Sequence, residues 1–232
     1  MSSILFVLSS ASKTLTGEPT GWYLPEAAHP YYVLAPSYTI TFAAPGGPNP
    51  PLDPASIEMF KEDEESVKFL KDPKVQKLLE TTVPLKDIKM EDYEAIFWVG
   101  GHGPMLDLAF DPINAKLLET AVTEKKVVAA VCHGPGAIVL ARINGKAIFA
   151  DKQVTGFSNV EEEQVKKVKD IPFLLEDRLI ELGGRYTKAA EPWGAHVVVD
   201  GNLITGQNPA SAKGVGEAIK TALEERAKGS QA

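Results

Sequence analysis

The chain has 232 residues, 44% of them hydrophobic, and a formal net charge of −7, which suits one α/β domain over 1–232 with a substantial core. The acidic balance argues against a nucleic-acid partner, and a single cysteine excludes an internal disulfide and fits a reducing compartment. No apolar stretch approaches the roughly 20 residues of a membrane-spanning helix, so no membrane association is expected.

The first element is the apolar run at 4–8, which reads as a β-strand. It is too short for a signal-peptide core and no basic segment precedes it, so a soluble cytoplasmic, or nuclear, protein is expected. At 22–30 the sequence predicts a helix starting near Pro25, which Pro30 kinks or delays. Glu26 lies there among aromatic and apolar neighbours. It reads either as a first-turn capping glutamate or as a desolvated carboxyl with a raised pKa, able to shuttle protons. A strand follows at 39–43, then a restrained loop at 45–54 holding five prolines and two glycines. Residues 61–65 read as a charged helix face.

A strand at 95–99 runs into Gly100-Gly101-His102-Gly103, and a helix at 111–124 leads to a strand at 127–131. A helix is predicted over 134–142 and a strand at 154–157. Glu161-Glu162-Glu163, behind Asn159, form an acid-rich first helical turn. Runs at 196–199 and 203–205 flank Asp200-Gly201-Asn202, which predicts a small added β-hairpin before a terminal helix over 209–228. This alternation implies a mostly parallel sheet sandwiched by helices, with its ligand crevice beyond the carboxyl ends of the strands.

Cys132 falls at that edge, where an apolar strand meets Gly134-Pro135-Gly136. The setting parallels a nucleophile elbow, with Ala130 in the place of the first glycine and Cys132 in that of the serine. An adjacent His133 and a following helix N-terminus both favour thiolate, so a lowered thiol pKa is expected. Backbone N–H groups of the Gly100–Gly103 turn, with that of Cys132 or His133, are candidates for an oxyanion hole. His29, His102 and His196 lack metal-ligand spacing, and no nucleotide-binding glycine motif occurs, so neither a metal nor a cofactor is expected.

Several strings carry a resemblance that runs nearly end to end: Glu26-Ala27-Ala28-His29-Pro30, Gly101-His102-Gly103 with Asp107, and Val128 through Pro135. To these are added Thr155 through Glu162 and Thr205-Gly206-Gln207-Asn208-Pro209-Ala210-Ser211. Together they resemble the ThiJ/PfpI superfamily, in its heat-inducible branch of glutathione-independent glyoxalases (glyoxalase III). The resemblance implies a flavodoxin-like fold, a homodimer, and conversion of methylglyoxal and water to D-lactate without glutathione or metal. It places the nucleophile on Cys132, its histidine on His133, the acidic third member on Glu162 (flanked by Glu161 and Glu163) and the superfamily glutamate on Glu26. Gly101, with His102 beside it, takes the oxyanion and substrate-binding turn. Residues 14–21 contain a proline and depart from the family pattern near the substrate approach. The same Cys132–His133–Glu162 set also suits a cysteine peptidase or deglycase. An exposed apolar patch would suit a holdase chaperone, and an oxidisable Cys132 a redox sensor.

Overall fold

Apolar runs with no polar interruption need cover on both faces of a sheet, and the computed structural model, which describes residues 2–229, builds its centre from them. The strands are β1 (Ser3–Val7), β2 (Thr39–Ala44), β3 (Val83–Pro84), β4 (Ala95–Trp98), β5 (Val127–Val131), β6 (Arg142–Ile143), β7 (Lys146–Ala147), β8 (Gln153–Val154), β9 (Arg185–Tyr186), β10 (Val197–Asp200) and β11 (Leu203–Gly206). The helices are α1 (Leu24–Leu34), α2 (Pro54–Met59), α3 (Glu64–Lys71), α4 (Pro73–Glu80), α5 (Pro112–Thr123), α6 (Asn159–Gln164), α7 (Leu175–Glu181) and α8 (Ala212–Gly229). Seven strands form one sheet in the order β10-β11-β5-β4-β1-β2-β3, parallel except for β10. Every residue of β4 and β5 is buried. α1 packs on α8, α8 lies on β5 and β11, and α5 lies on β4 and β5. This is the helix-covered, flavodoxin-like α/β architecture. Among the described residues no helix is long and apolar enough to cross a membrane.

Three sequence expectations change. The segment 134–142 forms a 3-10 helix over Gly134–Ile138 and then the β6–β7 hairpin, not an α-helix. Pro135 supplies no N–H, and glycine on either side of it disfavours helix propagation. The strand at 154–157 shrinks to β8, which pairs with β9 outside the main sheet. Beyond it the backbone turns to other partners, Thr155 N–H donating to Thr205 Oγ1 and Phe157 N–H to Cys132 O. Lys61 and Glu62 lie in a turn. The helix starts only at Glu64, because Asp63 caps it by accepting from Ser66 N–H. The expected hairpin forms over Val197–Gly206, and its second strand, β11, joins the main sheet in parallel with β5, the strand that leads into Cys132.

Candidate active site

β5 delivers Cys132 to the carboxyl edge of the sheet with φ +59°, a left-handed conformation that costs a non-glycine residue about 1–3 kcal/mol. Remote residues hold it there. Cys132 N–H donates to Gly206 O at 2.9 Å, and Cys132 O accepts Phe157 N–H at 2.9 Å. The first of these bonds corrects one expectation: the amide of Cys132 is spent on the sheet and is no oxyanion donor. Opposite, Gly100 leaves no room for a side chain, since a Cβ there would lie 2.2 Å from Glu26 Oε2 and 2.8 Å from Cys132 Cβ. Gly101 follows at φ +92°, a conformation glycine adopts freely, and its N–H faces both the thiol and the Glu26 carboxyl.

The neighbouring side chains of Cys132 and His133 converge, with Sγ 3.4 Å from His133 Nδ1. The other ring nitrogen, Nε2, lies 2.5 Å from Glu162 Oε2. Glu162 is ionised: burial acts to raise its pKa, but the charge of His133 and hydrogen bonds from His102 and His133 outweigh it and hold the carboxyl well below its ordinary range. An ionised carboxylate accepts only, so Nε2 is the ring nitrogen that donates to Glu162, and Nδ1 is the one that faces sulfur. The second oxygen, Oε1, is 2.7 Å from His102 Nε2. His102 therefore lines the site with its ring while its Nε2 is committed to Glu162. Burial, then the neighbouring His133, pushes its pKa down.

α6 explains why Glu162 is the carboxylate that arrives. Ser158 caps the helix in a reciprocal box with Glu161. Glu161 points the other way, accepting from Gln207, Asn208 and the backbone N–H of Trp193. One residue on, roughly 100° around the helix, Glu162 meets both imidazoles, while Glu163 is exposed.

Glu26 enters from the first turn of α1, is 0% exposed, and finds no hydrogen-bond partner for either carboxyl oxygen. It is not a cap. Burial first, and the nearby Asp53 charge to a lesser degree, raise its pKa well above the carboxylate range, and the Cys132 thiol and the Gly100 and Gly101 amides only partly oppose this. Pro30, four residues on in the same helix, supplies no N–H to the carbonyl of Glu26. The thiol reverses its expected direction. Burial, followed by the charge and closeness of the Glu26 carboxyl, pushes the Cys132 pKa well up, with Gly101 N–H acting the other way. The segment after Cys132 is a short 3-10 helix rather than an α-helix, so little dipole is available to counter burial.

A cavity of about 50 Å³ opens on Cys132, His133, His102 and Gly101, walled by Tyr23, Met59, Phe157 and Trp193. Tyr23, Met59 and Trp193 lie outside the roles read from sequence. A signal was present for Trp193, a tryptophan between Pro192 and Gly194, and it sits at φ +66° with its ring 5.5 Å from Phe157. Asp107 holds the 9–11 loop, accepting from Ser9 Oγ and from the N–H groups of Ser10 and Ala11.

A cysteine on a strained strand-end elbow of a parallel, helix-covered sheet defines a class of flavodoxin-like α/β proteins. The chain belongs to the DJ-1/PfpI family, whose model matches residues 52–221. It is 30% identical to glutathione-independent glyoxalase HSP31 of Saccharomyces cerevisiae, over 84% of this chain and 86% of that protein. It is 28% identical to glyoxalase 3 of Candida albicans, over 97% of this chain and 99% of that protein. Among solved structures, Rapid Encystment Protein 24 kDa of Francisella tularensis superposes with a TM-score of 0.91 at 36% identity, covering 96% of this chain and 99% of that one.

Proposed function

We propose that the protein is a glutathione-independent glyoxalase that converts methylglyoxal and water to D-lactate, and glyoxal to glycolate, acting as a single-domain cytoplasmic homodimer. The observation that carries this reading is Glu26, a buried carboxyl with both oxygens unpartnered, set beside the only thiol. Acyl transfer by Cys132, His133 and Glu162 leaves that carboxyl without a task; isomerisation of a dicarbonyl requires a second proton carrier. The cavity at Cys132, about 50 Å³, is of a size that suits a short dicarbonyl. The names of the yeast relatives point the same way.

In the proposed reaction, Sγ bonds to the aldehyde carbon as its proton leaves to His133 Nδ1. The carbonyl oxygen, facing the amides of Gly101 and His133, takes up a proton and a hemithioacetal results. A base then removes the hydrogen on the sulfur-bearing carbon, giving an enediol, and a proton is returned to the neighbouring carbon. Glu26 and His133 carry these protons, Glu162 orients His133, and His102 positions Glu162. One carbon is oxidised by two electrons and its neighbour reduced by two, so the balance needs no redox cofactor. Water cleaves the resulting thioester and releases lactate and the thiol. The test is methylglyoxal turnover by purified protein without glutathione, with chiral analysis of the product. D-lactate is expected to match the methylglyoxal consumed, and Cys132→Ser to abolish the reaction. No lactate above the uncatalysed level, or a racemic product, would overturn the proposal. Light scattering is expected to report twice the chain mass, and a monomer at micromolar concentration would contradict the dimer.

A further inference from the structure

His102, His133 and Glu162 come from three separate places in the chain, so no spacing motif announces them, yet their ligand atoms all lie within 4.8 Å of one another. Both imidazoles turn Nε2 toward the same carboxylate, at 2.7 Å and 2.5 Å, and their rings stand 4.1 Å apart. Two ligands on one tetrahedral zinc ion are about 3.3 Å apart when each bond is about 2.0–2.1 Å. Movements of roughly 1 Å or less therefore turn this hydrogen-bonded array into a coordination set. Two imidazoles and one carboxylate form the donor set of His2Glu zinc sites, which leave a fourth position for water. His102 and His133 line the cavity above Cys132, which gives a cation a way in.

We infer that His102, His133 and Glu162 form a binding site for a late first-row divalent cation such as zinc, and that its occupancy switches the cysteine site off. The proton accounting supplies the mechanism. In the hydrogen-bonded array each imidazole donates Nε2–H to an oxygen of the Glu162 carboxylate. Coordination needs that nitrogen's lone pair, so on each ring the proton shifts to Nδ1. On His133 the Nδ1–H then points at Sγ, 3.4 Å away. In that tautomer His133 can no longer accept the proton of Cys132. Sulfur is not a ligand in this site, because it faces the opposite nitrogen of the ring. Binding of the cation stands apart from the glyoxalase reading; only the loss of turnover depends on it.

The experiment is zinc binding by the chelator-stripped full-length protein, measured by calorimetry with metal analysis after dialysis, for wild type, Cys132→Ser, Glu162→Gln and His102→Asn. One zinc per chain is expected for wild type and Cys132→Ser. Affinity is expected to fall by more than about tenfold, a loss that even an outer-shell partner can cause, in the other two variants. Absence of zinc binding by wild type, its loss in Cys132→Ser, or its full retention in Glu162→Gln and His102→Asn would each overturn the inference. Should those two variants fail to fold, cobalt(II) added to wild type decides. Visible ligand-field bands without a near-ultraviolet thiolate charge-transfer band support the site, whereas a charge-transfer band, or no ligand-field bands at all, overturns it. Zinc is also expected to stop methylglyoxal turnover reversibly, with a chelator restoring it.

Discussion

Cys132 and Glu26 share a buried corner in which desolvation favours the neutral form of each. A raised carboxyl binds more protons in the folded chain than in the unfolded one. Stability is therefore lost as pH rises from the ordinary carboxyl range toward the raised value. Glu26→Gln cannot titrate, so its Tm relative to wild type is expected to climb as pH rises from about 4.5 through neutrality. A difference that stays flat across that interval in thermal melts would show that Glu26 is ionised throughout. Both residues stood out in the sequence, Cys132 by its strand-to-turn position and Glu26 by its apolar company. The sign of the thiol shift did not, because adjacency to His133 says nothing about how completely the sheet edge is covered.

α6 joins two functions in its first turn, Glu161 bracing the Trp193 loop and Glu162 holding His133 and His102. Its cap should matter to both. Ser158→Ala is expected to cost about 1 kcal/mol of stability and to lower kcat more than it raises KM, since Glu162 reaches the reacting atoms only through His133. A kcat equal to wild type in steady-state kinetics would place the registration of Glu162 elsewhere. The capping serine and acidic turn were legible because they are local devices. The same locality misled at 134–142 and 154–157, where Pro135 and the pull of Cys132 O on Phe157 N–H decide the backbone. The convergence of His102 on Glu162 has no local signature, since the two lie 60 positions apart.

For the molecule as a whole, the uninterrupted apolar runs announced the central parallel strands, whereas the place of β11 beside β5 depends on long-range pairing that no run of residues encodes. The buried charges set its acid response. Glu162 is held below its ordinary range, so its contribution is fully present above about pH 4.5 and is lost as pH falls through the lowered value. His102, also pushed down, costs stability as pH drops below about 6.5, where the unfolded imidazole takes a proton that the folded one resists. Burial raises Asp107 as it does Glu26, so both act in the opposite sense above the carboxyl range. The Tm gap between wild type and Glu162→Gln is accordingly expected to be wide at about pH 7 and to narrow steadily as pH falls below about 4.5; a gap independent of pH would contradict an ionised, doubly hydrogen-bonded Glu162. The most direct measurement returns to the carboxyl beside the thiol: methylglyoxal turnover without glutathione by Glu26→Gln, with alkylation of Cys132 followed in the same preparation. Turnover is expected to fall by about 100-fold or more while alkylation continues, and turnover equal to wild type would contradict Glu26 as the proton carrier.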